Sequence, residues 1–466
     1  MPTEPTGPTR QALPPSRPRG FSRRALPGAA GAGLLAGPLL SACGSARAPG
    51  SLQVSFQEWG GGEATARFLD SAAAEFMAAR PGTSVEVIPL VAPENDYFTK
   101  NELMMASART TPDIVYEDTF ILRADIAAGY LRPLDDYIAD WPLWDAYVDV
   151  AQDAVRDEDG RVYAIPGPTD TRAIWYHRRV LERAGIELPW NPRTWDDVLD
   201  TARAIRDRVP DVVPALFYSG KAQGEKASMQ GLQMLFNGTG SVLYDEDTRR
   251  WTTGAAGMRS SLRFLHTLYG EGLGPPLEAA LDPNLTETVY TSWMPEGTVG
   301  MVVDGNWIAQ HWDDWPEWDS ELGLARMPTQ HGQGRGFVTL SGGMAWSLPA
   351  LAPDPDLTWQ LLSTMMSTAN ATSWTVGDNK LANRSDVAAA PGYAGYSPVT
   401  GFFTDLVPHA DYRPALAPYP QISSAIQAAT EAVMTGAASP EAAADGYDAA
   451  LVDIVGIEAT TPEVAT

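Results

Sequence analysis

Aromatic side chains set among carboxylates and arginines are the residues of this chain best suited to chemistry. The 466 residues include 15 Trp and 16 Tyr, more than its cores need, and several fall in turn-rich segments rather than on periodic apolar faces. A flat ring with a polar edge suits the C–H face of a pyranose, and charged or amide groups suit its hydroxyl rim through charge-assisted hydrogen bonds. Trp307 leads as the stacking residue because it follows Gly305-Asn306 at the end of an expected strand, residues 298–303; a core position is the alternative. Trp59, beside the glycine turn 60–62, is the second choice. For the rim, Asp118 stands out, since Glu117-Asp118-Thr119 close a short strand where ligands of open α/β sheets sit.

Other chemistries find little support. His177, His266, His311, His331 and His409 are scattered without ligand spacing, and no Ser stands in G-x-S-x-G, so neither metal nor cofactor is expected. The glycine turn is followed by no Gly-Lys-Ser/Thr and does not fit G-x-G-x-x-G, which excludes a phosphate loop. It reads instead as a tight turn where backbone at Gly61 and the helix start at Glu63 can approach a neutral or polar ligand; a plain structural turn is the alternative. A net charge of -25 with 33 basic residues argues against nucleic acid. A secreted glycoside hydrolase is the enzymatic alternative, needing two carboxyl groups about 5 to 9.5 Å apart.

The elements that would position these residues follow an α/β pattern. Residues 52–59 read as a strand, 63–79 as a helix with Ala66, Leu69, Ala73, Phe76 and Met77 along one side, and 84–90 as the next strand. A helix over 97–108, a strand over 111–116 and a helix over 120–128 follow. Residues 161–165 form a strand-like run that Pro166, Gly167 and Pro168 should end. After a polar strip, 169–172, and another strand, 173–176, Thr194 caps a helix whose Trp195, Val198, Leu199, Ala202 and Ile205 recur at the spacing of a buried face. A further helix is expected from Gln223 through Phe236.

The first 42 residues read as a signal peptide: Arg17, Arg19, Arg23 and Arg24 precede an uncharged, mostly apolar run too short and too rich in Gly and Pro for a permanent span. Ser22-Arg23-Arg24-Ala25-Leu26 resembles a twin-arginine export signal, and Leu40-Ser41-Ala42-Cys43 a bacterial lipobox. Cys43 is the sole cysteine, which excludes intramolecular disulfides; the lipobox resemblance implies that it carries the lipid. Residues 43–50 would then be a tether, and the mature chain would sit outside the cytoplasm, anchored to the outer face of the cell membrane.

Ordered motifs carry a wider resemblance. After the strand, glycine turn, helix and strand come Pro112-Asp113-Ile114-Val115 and Ala128-Gly129-Tyr130-Leu131-Arg132-Pro133-Leu134-Asp135. Val162-Tyr163-Ala164-Ile165-Pro166, Trp175-Tyr176, Gly297-Thr298-Val299-Gly300-Met301, Asp304-Gly305-Asn306-Trp307, Gly342-Gly343-Met344-Ala345-Trp346 and Arg413-Pro414-Ala415-Leu416-Ala417-Pro418-Tyr419 follow in order. The set resembles the carbohydrate-binding lipoproteins of bacterial ABC importers, of the maltose and trehalose type. That resemblance implies a two-lobe α/β clam with a hinge and a ligand cleft, the first lobe built from residues 51–168 and 340–384 and the second from 171–335 and 387–460. It also implies a monomer that takes a disaccharide or oligosaccharide, such as trehalose or another α-glucoside, and delivers it to permease subunits. A non-sugar ligand such as a glycerophosphodiester is the other possibility.

On the same resemblance, Asp170 and Arg172 face the cleft at the first crossing, Gly343 lies near a return crossing, Asn306 accompanies Trp307, and Arg413 and Tyr419 belong to the ligand site. Thr119 goes with Asp118 at its strand end. Glu225, in a segment resembling the trehalose-binding branch, would bond sugar hydroxyls. Plainer alternatives are a salt bridge for Asp170 and Arg172, a first-turn Glu favoured by the helix dipole for Glu225, and a structural ion pair for Arg413. Trp141, Trp144, Trp312, Trp315 and Trp318 are expected to pack lobe edges.

Overall fold

The computed structural model describes residues 47–58, 63–92 and 94–463. The leader, Cys43, Trp59 and Gly61 lie outside the described residues, as does the side chain of Glu63.

The two main sheets are built from β1 (Ser51–Glu58), β2 (Ser84–Val91), β3 (Ile114–Asp118), β4 (Ala164–Thr169), β5 (Arg172–His177), β6 (Val213–Leu216), β7 (Val299–Gly305), β8 (Leu322–Ala325) and β9 (Gly343–Ser347). One sheet runs in the order β2-β1-β3-β9-β4 and the other β8-β5-β7-β6. β1 pairs in parallel with β2 and β3, as strands joined through helices do, whereas β9 returns late in the chain antiparallel to β3 and β4. In the second sheet β6 is parallel to β7, and β5 is antiparallel to both β7 and β8.

Each sheet anchors its own core. Helix α1 (Glu63–Ala79) buries Phe68, Leu69, Ala72 and Phe76, recurring at the three-to-four spacing of one helix face, against the first sheet. In β5 every residue is buried, and its alternation sends Trp175 to one apolar cluster and Ile174 and Tyr176 to another, so that sheet is covered on both faces. Helix α2 (Trp195–Arg208) starts as its residues dictate: Thr194 Oγ1 accepts the Asp197 N–H while the Asp197 carboxylate accepts the Thr194 N–H. Val198, Leu199, Ala202 and Ile205 then face the core, the burial of Val198, Leu199 and Ile205 stabilising by roughly 1.5–3 kcal/mol each.

Three expectations about elements are corrected. β4 does not stop at Ile165 but runs through Pro166, Gly167 and Pro168 to Thr169. Proline has no N–H for a ladder, yet β4 is the edge strand of its sheet, where that loss is tolerated, and its pairing with β9 is irregular between Gly343 and Ala345. The helix placed at 97–108 spans Glu94–Met105 instead. The segment from Gln223 to Phe236 is not one α-helix: a 3₁₀ turn at Lys221–Gln223 leads to π-type winding over Ala227–Gln233. There Gly231 lies so close to the Tyr218 carbonyl that a Cβ would come within 1.8 Å of its oxygen.

Segments 169–172, 339–342 and 379–381 cross side by side between the sheets, held by small polar side chains. Thr339 Oγ1 accepts the Arg172 N–H at 3.1 Å and donates to the Arg172 carbonyl at 2.9 Å. Ser341 Oγ donates to the Asp170 carbonyl at 2.7 Å, and the Thr169 and Leu381 backbones exchange two hydrogen bonds of 2.9 Å. Gly343 follows the 339–342 crossing directly, as expected, and opens β9, while hydroxyl groups join the segments.

Candidate functional site

A cavity of about 610 Å³ lies where the ends of β3, β7 and β9 meet the crossing segments. Topology explains the placement. Asp118 is the last residue of β3, Gly343 the first of β9, and Trp307 follows the end of β7, so strand ends converge on one opening.

Trp307 stands at the centre of the polar groups. It is half-buried and lines the cavity. Lys380 Nζ lies 4.4 Å from its ring centre, the Arg172 guanidinium 5.0 Å and Lys226 Nζ 5.2 Å, distances at which an ammonium or guanidinium is drawn to an aromatic face. The ring also rests on Gly305, where a Cβ would come within 1.7 Å of it. Only glycine leaves room there.

Asp170 is buried between two of these cations, bonded to Arg172 and, at 2.7 Å, to Lys380. Burial alone would raise its pKa, but the charges of Arg172 and Lys380 overcome it and hold the carboxyl well below the usual range. Arg413 makes a second junction. It bonds Asp118 and, at 3.2 Å, Thr119 Oγ1 on the side of the first sheet, and it bonds Glu225 at 3.2 Å on the side of the second. Glu225 also accepts from Tyr419 at 2.7 Å and from Ser423. Its pKa is raised by burial, with Arg413 and the two hydroxyls opposing.

Of the site residues expected from the sequence, Asp118, Asp170, Arg172, Glu225, Trp307, Gly343 and Arg413 line this one cavity. Three others are placed differently. Asn306 is buried in the crossing, its Oδ1 accepting the Thr171 N–H at 3.1 Å and its Nδ2 donating to the Asn379 carbonyl. Tyr419 is buried, donating to Glu225 and accepting from Gln233 at 2.8 Å, so it positions Glu225 rather than facing the cavity. Thr119 bonds Arg413, and its backbone N–H donates to the Gly343 carbonyl at 3.1 Å. Trp312, expected at a lobe edge, is fully buried edge-on to Trp175 at 5.3 Å.

Sequence reasoning missed Lys226, Lys380, Asp304 and Tyr290. Lys226 Nζ donates to Tyr290 Oη at 2.9 Å, and Tyr290 in turn donates to Asp304 at 2.7 Å. Asp304 also accepts from Tyr218 at 3.0 Å and from the Gly305 N–H at 2.9 Å. One signal was available: Lys226 directly follows Glu225, and Asp304 opens the Asp304-Gly305-Asn306-Trp307 motif. His311, beside Tyr290 at 4.9 Å, is pushed down to about 4, by burial first and then by the charge of Lys226. Among the described residues no group of three or more His, Cys, Asp or Glu side chains could hold a metal ion.

Comparison with known proteins agrees with this architecture. The family of bacterial extracellular solute-binding proteins matches residues 61–372. A binding protein of Brucella abortus (strain 2308) is 24% identical over 420 residues, 86% of this chain and 92% of that protein. A lactose-binding protein of Rhizobium radiobacter is 22% identical over 292 residues, 62% of this chain and 64% of that one. Among solved structures, the GacH receptor of Streptomyces glaucescens, studied unliganded and with acarbose, superposes with a TM-score of 0.73 at 21% identity, covering 88% of this chain and all (100%) of that one. Maltose-bound T. maritima MalE3 gives 0.74 at 18% identity, with 87% and 100% covered. Two sheets with separate cores, joined by crossings that flank a cavity, make the two-domain periplasmic-binding-protein fold, and the chain belongs to the bacterial extracellular solute-binding proteins.

Proposed function

We propose that this protein is the sugar-binding component of a bacterial ABC importer, holding a disaccharide or short oligosaccharide in its cleft and presenting it to a membrane permease. The observation that carries this reading is the half-buried Trp307 ring, set in a cavity of about 610 Å³ and surrounded by charged hydrogen-bonding groups. The volume is within the roughly 300–1,000 Å³ of small-molecule sites, and a ring beside charged donors matches the two faces of a pyranose. A relative named for lactose and structural neighbours solved with acarbose and with maltose support the sugar class. An α-linked glycoside, with trehalose and maltose as first examples, heads the ligands to test.

Binding without hydrolysis is favoured by the state of the carboxylates. Asp118 and Glu225, the pair a hydrolase would need, are both bonded to Arg413, and Glu225 is further held by Tyr419 and Ser423. Delivery from outside the cytoplasm, with a lipid on Cys43 keeping a monomer near its permease, completes the proposal. No helix among the described residues is long and apolar enough to cross a membrane.

The test is to incubate purified protein with a panel of disaccharides and record thermal shift and product release together. A binder gains stability as RT ln(1 + [L]/Kd) and leaves the sugar intact. Turnover of the sugar would show an enzyme, and absence of stabilisation by every sugar, including trehalose, maltose and longer α-glucosides, would remove the carbohydrate assignment.

A further inference from the structure

Asp378 lines the cavity, yet it differs from the buried carboxylates already described. Asp118 and Glu225 are bonded to Arg413, and Asp170 to Arg172 and Lys380. Asp378 is 5% exposed and is bonded only by neutral donors, Thr65 Oγ1 at 2.9 Å and Trp374 Nε1 at 2.7 Å. Both bonds end on the same oxygen, Oδ2. The other, Oδ1, is buried and accepts from no donor among the described residues.

Local structure does not call for a carboxylate here. Asp378 is the C-cap of helix α3 (Thr368–Gly377), where the helix dipole favours cations and disfavours negative charge. The helix ends through its backbone: Asn379 takes the left-handed conformation, and the Lys380 N–H donates to the Thr375 carbonyl at 2.8 Å. Burial raises the Asp378 pKa, with Thr65, Lys380 and Trp374 opposing. What the side chain does for the fold is tie α1, through Thr65, to α3, through Trp374. An asparagine oxygen would accept the same two bonds without burying an ionisable group. The carboxylate thus brings a surplus acceptor, and buried acceptors are nearly always matched.

Two neutral side chains share the deficit. Gln57 and Gln223 are buried and line the same cavity. Their amide nitrogens donate to backbone carbonyls, Gln57 to Ala92 at 3.3 Å and Gln223 to Ala280 and Asp282 at 2.9 and 2.8 Å. Each leaves its Oε1 without a partner. Residues of the wall therefore lack a donor at three places, which an occupant rich in hydroxyl groups can supply.

We propose that Asp378 is a specificity-determining residue of the cavity, its Oδ1 accepting from one hydroxyl group of the bound sugar while Thr65 and Trp374 hold the carboxyl in place. This rests on the sugar-binding reading above and deepens it. A hydroxyl donating to a carboxylate makes a short, charge-assisted bond. A sugar in which that hydroxyl is removed or methylated is rejected, because the buried oxygen then stays unmatched.

Titration calorimetry of the purified protein with trehalose, maltose, lactose and longer α-glucosides selects the tightest-bound sugar, and its monodeoxy analogues then locate the hydroxyl. Asp378→Asn keeps an oxygen for Thr65 and Trp374 and puts an N–H donor where the free acceptor stood. Its affinity for the parent sugar should fall about 10- to 100-fold. One monodeoxy analogue should lose a similar factor with the wild-type protein, yet bind the variant about as well as the parent sugar does. If the substitution instead weakens the parent and every analogue by one common factor, or weakens none, Asp378 is purely structural and the proposal is overturned. A crystal structure of the wild-type protein with the same sugar decides independently of the variant. A sugar hydroxyl about 2.5–3.0 Å from Oδ1 is expected; a water or a protein donor in its place overturns the proposal and leaves the sugar-binding reading standing. Failure of every sugar to bind removes that reading and this proposal with it.

Discussion

Asn306 and Asn379 exchange amides across the crossing: each side-chain nitrogen donates to the other's backbone carbonyl. One residue follows β7 and the other lies in a crossing segment, so the pair pins together two parts of the chain separated by 73 residues. Asn379 also adopts φ of +49°, a left-handed conformation that Asn tolerates better than most residues.

The clasp yields the first prediction. Asn379→Ala loses the bond its own Nδ2 donates, though not the one its backbone carbonyl accepts, and places a Cβ residue without local hydrogen-bonding help at positive φ, and should cost about 2–3 kcal/mol. Asn379→Gly loses the same single bond without the strain and should cost less. Denaturant unfolding of the two variants measures the difference; equal losses would show that the backbone there is unstrained.

Arg413 should prove a support as much as a binding residue. Substitution by Ala leaves Asp118 and Glu225 without their shared cation, and removing one partner of a buried ion pair costs about 3–5 kcal/mol. The apo melting temperature of Arg413→Ala should therefore fall by several degrees. That outcome departs from a purely ligand-binding role, under which the apo protein would melt unchanged.

Trp307→Ala should behave oppositely. Its ring is half-buried at the cavity, so apo stability should change little while sugar affinity drops about 10- to 100-fold. Gly305→Ala tests the same ring from behind. The added methyl collides with the indole at 1.7 Å, so affinity should fall although the new side chain touches no ligand.

Stability should decline from mildly acidic to neutral pH in one identifiable part. Burial, reinforced by Glu102, pushes Asp125 up to about 7, beside the buried Glu117 whose carboxyl burial also raises. Between the unfolded pKa near 3.8 and about 7, the native protein holds a proton that the unfolded chain has lost. Each such proton lowers stability by up to about 1.4 kcal/mol per pH unit across that window. Asp125→Asn should flatten the slope, as read from unfolding curves between pH 5 and about 7.

Much of the frame was legible in the residues themselves. Thr194 with Asp197, the periodic faces of α1 and α2, and the strand ending at Asp118 are local facts, governed by capping chemistry and hydrophobic spacing within a few positions. Composition pointed to aromatic rings beside charge, and Gly305 before Asn306-Trp307 marked the place where one ring would stand. The extent of β4 was misread because proline's cost depends on whether its strand is at an edge, which neighbours settle.

What the tertiary structure alone decided is the pairing of charges. Asp170 meets Lys380 across 210 positions, Glu225 meets Arg413 across 188, and Asp118 meets Arg413 across 295. Such contacts leave no periodic trace, because they form only where strand ends and crossings converge. Burial then fixes their consequence: the same Asp or Glu is a solvated surface charge when exposed and a paired or proton-holding group when enclosed. The sequence by itself therefore determined which residue types were present and which local elements carried them. Their encounter around Trp307, and hence which donors remain for a ligand, was settled by the fold.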